Sequence, residues 1–141
     1  MCQTAVISDK IVKLGTRSYQ QRIEVAAGMG YSAVRLSRLN ADLDKFYELL
    51  YNQINSITPA DYKIFGPQLK ILITTVKDLY FTCKKLPPIL GLSSEIHKLG
   101  RNYSALHEIE SDIRNFRLDK DPEISSLLTL SLIHISEPTR H

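Results

Sequence analysis

The chain has 141 residues and a mass of 16.0 kDa, a size that suits one domain. Hydrophobic residues make up 43% of it and charged residues 23%, close to the globular average, which excludes a wholly disordered chain. The 18 Lys and Arg residues exceed the 15 Asp and Glu residues by only three, and two cysteines are too few for a disulfide scaffold. The composition therefore predicts one globular domain and identifies no ligand.

We expect neither a secretory signal nor a membrane span in the N-terminal region. Charges at Asp9, Lys10 and Lys13 interrupt any apolar run there. The uncharged run Val25–Val34 has ten residues, half of the roughly 20 that a membrane-spanning helix requires. We expect a soluble, cytoplasmic protein in which Cys2 and Cys83 are free thiols.

Residues 5–35 carry the least regular pattern of the chain. Ile7, Ile11 and Leu14 fit one face of a helix. Glycine costs about 1 kcal/mol in a helix interior relative to alanine, so Gly28 favours a break. The sequence leaves open whether this stretch forms one helix or two.

Three regular stripes of apolar residues follow, with steps of three and four that predict amphipathic helices. They run from Leu36 to Ile54, from Phe65 to Leu86 and from Ile96 to Phe116. Thr58-Pro59-Ala60-Asp61 has the cap, proline and acidic residue typical of a helix start, and it precedes the second stripe. Within that stripe, Gly66-Pro67 predicts a kink or a restart of the helix at Pro67.

No segment of residues 1–129 alternates apolar and polar residues for long enough to predict a sheet. We therefore expect an all-α protein, an antiparallel bundle of about four amphipathic helices in which sequence neighbours pack side by side. The seven-residue repeat of the second stripe favours nearly aligned helices that cross at about 20°.

A further helix is predicted to start at Asp121-Pro122-Glu123, but its apolar face ends after two turns. A helix shorter than about 12 residues is marginal without packing. We therefore expect Ile124, Leu127 and Leu128 to contact a partner. The short face also predicts that this last helix is truncated.

The final residues resemble a laboratory reagent rather than a protein. Residues 130–140, LSLIHISEPTR, resemble a conceptual translation of the transposon-end and adapter DNA used in tagmentation libraries. The resemblance implies that residues 130–141 are a non-native tail and that the helical-bundle domain expected over residues 1–129 is incomplete at its C-terminus. The alternative is a genuine short strand over residues 130–135.

Sequence motifs give little support for catalysis or cofactor binding. The segment from Gly28 to Ala33 matches the glycine pattern of dinucleotide-binding loops, but it lacks the surrounding strands, so a close helix contact or a bend is favoured. His107 and Glu110 share a helix face without a ligand pair opposite, and the apolar surroundings of Cys83 favour an inert thiol. We expect no catalytic residue, cofactor or metal, and enzyme activity is left open but disfavoured.

Positive charge is concentrated in the first 40 residues, where six Lys and Arg residues oppose two acidic residues. Lys10, Lys13 and Arg17 share one helical face, a candidate surface for phosphate contacts. A solvated helix face is the simpler interpretation of the same pattern.

Taken together, the patterns favour a non-catalytic helical bundle that acts through protein–protein contact or self-association, as an adaptor, regulator or assembly subunit. One alternative is a small nucleic-acid-binding protein that uses the basic N-terminal third. The other is the N-terminal fragment of an enzyme whose site lies beyond residue 129. No membrane partner is expected.

Overall fold

A computed structural model describes residues 2–28, 33–87 and 91–118. Four long helices account for most of them, and no strand occurs within these ranges. The helices are α1 (Thr4–Ala26), α2 (Ala33–Gln53), α3 (Pro59–Lys84) and α4 (Ser93–Leu118), with a 3₁₀ turn at Ile54–Ser56. They pack against one another as a bundle, which confirms the predicted all-α fold.

The stretch 5–35 is divided between two helices. α1 ends at Ala26, and Gly28 follows with a φ angle of +69°. Glycine adopts this left-handed conformation without the steric cost that a Cβ atom imposes. The predicted break near Gly28 is confirmed, and α2 begins at Ala33.

The start of α3 is fixed by the predicted capping residues. The backbone N–H of Asp61 donates to the Thr58 hydroxyl over 3.1 Å, and the N–H of Thr58 donates to the Asp61 carboxylate over 3.0 Å. This reciprocal pair is a capping box, with Pro59 as the first helical residue. The helix start is therefore confirmed.

Of the two alternatives predicted at Gly66-Pro67, a kink or a restart of the helix, the restart is wrong, because α3 continues through Pro67 to Lys84. Proline removes one backbone hydrogen bond from a helix interior. Phe65 and Leu69, on either side of it, are fully buried. We attribute the continuity to this burial, which holds both turns of the helix against the core.

The helices do not pack in the order of the sequence. Around the bundle the order is α1, α3, α4, α2, so α2 and α3 lie across a diagonal although they are sequence neighbours. The expectation that all sequence neighbours pack side by side is wrong for this pair. The connection between them consists of the 3₁₀ turn Ile54–Ser56 followed by residues 57–58.

Helix directions follow from contacts between named residues. The Thr4 hydroxyl donates to Asp61 at the beginning of α3, and Gly15 faces Leu72 further along, so α1 and α3 run parallel. Arg17 pairs with Asp42 and Glu24 pairs with Arg35, so α1 runs antiparallel to α2. Tyr62 of α3 contacts Glu110, and Tyr80 packs against Gly100, so α4 runs antiparallel to α3. Each helix therefore runs opposite to the one before it in the chain.

The buried core consists mainly of the predicted apolar stripes. Phe46, Phe65, Leu99 and Leu106 are among its fully buried side chains. Phe116, at the end of the third stripe, is instead 53% exposed. The predicted helix after Asp121, its contact residues Ile124, Leu127 and Leu128, and the tail 130–141 all lie outside the described residues.

Candidate functional site

The glycine motif does not occupy the setting of a dinucleotide site. Such a site places the glycines between a strand and a helix. Here Val25 and Ala26 are the last two residues of α1, and Ala33 is the first residue of α2. The first glycine therefore ends a helix rather than a strand.

The candidate metal-binding side chains are dispersed. His107 is exposed on α4, whereas Glu110 is buried and accepts a hydrogen bond from the Tyr62 hydroxyl over 2.6 Å. Arg114 Nε lies 3.2 Å from the same carboxylate. Within the described ranges, no group of three or more His, Cys, Asp or Glu side chains is arranged to hold a metal ion.

The contact between Tyr62 and Glu110 instead joins α3 to α4. Burial, followed by the hydrogen bond and the negative charge of Glu110, raises the pKa of the Tyr62 phenol well above its usual range. The phenol therefore stays protonated and keeps donating to the carboxylate. We assign this cluster to helix packing rather than to chemistry.

The two thiols lie at opposite ends of α3. Cys2 is beside Asp61, and Cys83 is separated from that position by about 33 Å along the helix, so they do not form a bridge. Burial raises the pKa of the Cys83 thiol to about 11. At neutral pH this sulfur is protonated, and thus a poor nucleophile.

Two of the three residues on the candidate phosphate-contact face make ion pairs. Lys13 Nζ lies 3.0 Å from Asp9, and Arg17 Nη1 lies 2.6 Å from Asp42 on α2. Lys10 is exposed on the same helix. The face therefore carries less net charge than its basic residues alone indicate.

A polar cluster that the sequence pattern did not predict lies between α2 and α4. Asn40 Nδ2 donates to the backbone carbonyl of Glu95 over 2.9 Å and to its side chain over 3.0 Å. Asn102 Nδ2 donates to Asn40 Oδ1 over 3.0 Å. Because both amides are buried, these bonds satisfy polar groups that would otherwise destabilise the contact.

An open groove of about 400 Å³ runs between the parallel helices α1 and α3. Its walls include Val12 and Tyr19 of α1 and Ile71 of α3, and Gly15 lies in its floor. These three large side chains are 56%, 53% and 67% exposed. We call this surface the apolar groove; Ile64, seven residues before Ile71 and 60% exposed, extends its α3 wall.

A second surface lies on the flank of α3 that faces away from α1. Lys63, Lys70, Lys77 and Lys84 recur every seven residues, and all four are exposed. A seven-residue step brings a helix back to nearly the same direction, so the lysines form one row with a spacing of about 10.5 Å. We call this row the lysine face. Its spacing is visible in the sequence, but its position beside α4 is known only from the fold.

Comparisons with protein-family models, with curated proteins and with solved structures found no match to this chain. None of the described helices is both long and apolar enough to cross a membrane. The function is therefore inferred from the surfaces of the described fold.

Proposed function

We propose that this protein is a non-catalytic helical bundle that acts by binding an amphipathic helix of a partner protein in the apolar groove. The observation that carries the proposal is the exposure of Val12, Tyr19 and Ile71 side by side. Covering the exposed part of these side chains removes apolar surface from water, which favours association by roughly 25 cal/mol per Å². A partner that covers all three gains a large part of its binding free energy from them.

The shape of the groove favours a helix as the bound element. Its two walls are parallel helices, and each wall presents exposed apolar side chains seven residues apart: Val12 and Tyr19 on α1, Ile64 and Ile71 on α3. A third helix with an apolar stripe inserts its side chains between such positions, as in a coiled coil. An extended peptide has no comparable register with these walls.

The alternative of nucleic-acid binding has less support than helix binding, because two of the three residues predicted to contact phosphate are already paired. Lys13 and Arg17 already face carboxylates at 3.0 Å and 2.6 Å. A phosphate backbone must compete with those pairs before it gains their full charge. The third alternative, an enzyme fragment, receives no support from the buried thiol or the dispersed carboxylates.

Site-specific photo-crosslinking in the source cells tests the proposal. A photoreactive side chain placed at Ile71 or Val12 is expected to form an adduct with one protein, through a segment that is amphipathic as a helix. The same side chain at Lys45, exposed on α2, is the control and should not form that adduct. The purified partner should then lose at least about tenfold in affinity for Ile71→Glu, because the variant places a charge in the apolar groove.

Three outcomes contradict the proposal. One is an adduct between two copies of this chain, which makes the apolar groove a self-association surface. Another is an adduct with residues 121–129 of the same molecule, which makes the groove an intramolecular packing surface. The third is equal capture at Ile71 and Lys45, which shows that the groove has no specific ligand.

A further inference from the structure

A polar depression of about 330 Å³ lies between α1 and α2. The residues that line it are Thr16, Arg17, Gln20 and Gln21 of α1 and Arg35 and Arg38 of α2. It shares Thr16 with the apolar groove, and the hydroxyl of that residue donates to the Val12 carbonyl of its own helix over 2.9 Å. We call this surface the arginine depression; it and the apolar groove lie on opposite sides of Thr16.

Two ion pairs fix the register of α1 against α2 around the arginine depression. Arg17 Nη1 lies 2.6 Å from the Asp42 carboxylate, and Arg35 Nη1 lies 2.7 Å from that of Glu24. On each helix the two paired residues are seven positions apart, a rise of about 10.5 Å. The pairs therefore stand at the two ends of the depression, and each carboxylate neutralises one guanidinium.

The centre between the two pairs is occupied by Gln21 of α1 and Arg38 of α2. Gln21 follows Arg17 by four residues, and Arg38 precedes Asp42 by four, so the two side chains lie at the same level of the antiparallel helices. Within the described residues, neither makes a hydrogen bond or an ion pair. Gln21 is only 7% exposed, and a buried amide normally has a partner. The fold therefore leaves a buried amide and an unpaired guanidinium facing one depression.

The groups around the arginine depression are suited to an anion. Arg38 keeps its full positive charge, and Gln21 adds a neutral N–H donor. Arg17 uses one nitrogen of its guanidinium for Asp42, and a guanidinium has five N–H groups in all. None of the described lining residues is acidic. The three arginines and the two paired carboxylates thus leave one net positive charge at this place.

We propose that the arginine depression binds a phosphate group, either as the free ion or as a monoester of a small molecule. Guanidinium groups bind phosphate through two parallel N–H bonds. The terminal oxygens of a phosphate point in several directions, so they accept from Arg38 on α2 and from Gln21 and Arg17 on α1 together. A planar carboxylate has only two oxygens for these three donors. Arg38 and Gln20 are exposed, which leaves the side toward solvent open for the organic part of an ester.

A nucleic-acid backbone fits this place less well than a single phosphate. Asp42 and Glu24 stand at the two ends of the depression, along the line of the helices. A strand that follows the seam brings its neighbouring phosphates close to these carboxylates, and like charges repel. An isolated phosphate at Gln21 and Arg38 avoids both.

An NMR titration of the full, ¹⁵N-labelled chain tests the inference, with inorganic phosphate and phenyl phosphate as probes and acetate at the same ionic strength as the reference. The side-chain signals of Gln21 and Arg38 are expected to shift and to saturate with both phosphate probes. Acetate should bind at least about tenfold more weakly. Arg38→Gln should weaken phosphate binding at least about tenfold and Gln21→Leu at least about threefold, because a charged hydrogen bond contributes more than a neutral one.

The matched control is Arg101→Gln, the same substitution at an exposed arginine of α4 outside the depression. It lowers the net charge equally and should alter the affinity less than about threefold, because salt screens distant charges. Ile71→Glu in the apolar groove should have a similarly small effect. Loss of phosphate binding and loss of the groove ligand are therefore read independently.

The two phosphate probes distinguish the possible sources of the ligand. Tighter binding of phenyl phosphate assigns the depression to small monoesters, and equal affinity assigns it to free phosphate; both results support the inference. It is overturned if the signals of Gln21 and Arg38 do not saturate, or if acetate binds as tightly as phosphate. Equal losses for Arg38→Gln and Arg101→Gln also overturn it, since net charge then explains the binding. An oligonucleotide that displaces phenyl phosphate at equal phosphate concentration assigns the depression to nucleic acid instead.

Discussion

The seam between α1 and α3 and the seam between α2 and α4 both join parallel helices, yet they differ in chemistry. The first buries apolar side chains such as Ile11 and Leu72, with one polar contact between Thr4 and Asp61. The second buries the amides of Asn40 and Asn102 and ties them to Glu95. Apolar packing is non-directional, whereas hydrogen bonds require one alignment of the helices. The difference indicates that the first seam contributes mainly stability and the second mainly register.

The largest expected effect tests the apolar seam. Leu72→Ala should lower the free energy of unfolding by about 2–5 kcal/mol, because it removes a buried side chain and leaves a cavity beside Gly15. Denaturant titration followed by circular dichroism measures the loss. Ile71→Ala, a change at the exposed neighbour, is the control and should stay within about 0.5 kcal/mol. Equal losses for both variants contradict the described burial.

The next effect tests the polar seam. Asn40→Leu should cost about 1–3 kcal/mol, because it removes the acceptor 3.0 Å from the buried Asn102 amide and leaves that amide only the backbone carbonyl of residue 40, at 3.4 Å. Asn40→Leu/Asn102→Leu removes both amides and should cost less than the sum of the single changes. The measurement is a double-mutant cycle by denaturant unfolding. Additive costs would show that the two amides do not stabilise the seam as a pair.

A smaller, pH-dependent effect tests the polar contact between Thr4 and Asp61, which crosses the apolar seam. Burial opposes ionisation of Asp61, but hydrogen bonds from the Thr58 backbone and from the Thr4 and Thr58 hydroxyls outweigh it and lower its pKa. Its contribution is therefore present above the ordinary pKa of about 4 and is lost as the pH falls through the lower folded-state value.

Asp61→Asn should accordingly cost about 0.5–2 kcal/mol at neutral pH. The difference from the parent chain should shrink in acid, as unfolding titrations between neutral pH and about pH 2 would show. Asp44→Asn, at an exposed residue of α2, is the control and should change stability by less than about 0.5 kcal/mol. A pH-independent difference at Asp61 is the opposing result.

The smallest expected change in the free energy of unfolding is a gain in stability rather than a loss. A Cβ atom at Gly15 would lie 4.0 Å from Leu72 Cδ1, an ordinary contact, so Gly15→Ala should stabilise α1 by about 0.5–1 kcal/mol. At Gly100 the same atom would lie 2.8 Å from the Tyr80 ring, so Gly100→Ala should destabilise the protein. Thermal unfolding compares the two variants. The same sign for both would contradict the close approach of α3 and α4.

Much of the local structure was predictable because its causes lie close together in the sequence. In α3, the apolar stripe of Phe65, Leu69 and Leu72 predicted the buried face, and the capping residues Thr58 to Asp61 predicted the start of the helix. Gly28 predicted the break between α1 and α2. The candidate surfaces were harder to predict. The seven-residue spacing from Lys63 to Lys84 is present in the sequence, but only the fold places α4 beside it.

The sequence by itself determined the apolar faces of α2, α3 and α4 and the capping residues of α3, because periodicity and capping act within a few turns. Tertiary structure decided that α1 packs against α3 while α2 and α3 lie on a diagonal. It also decided that Asn40 and Asn102 are buried as a pair and that Val12 and Ile71 line one groove. These choices depend on contacts between residues tens of positions apart, and a repeating apolar stripe fits several neighbours equally well until packing selects one.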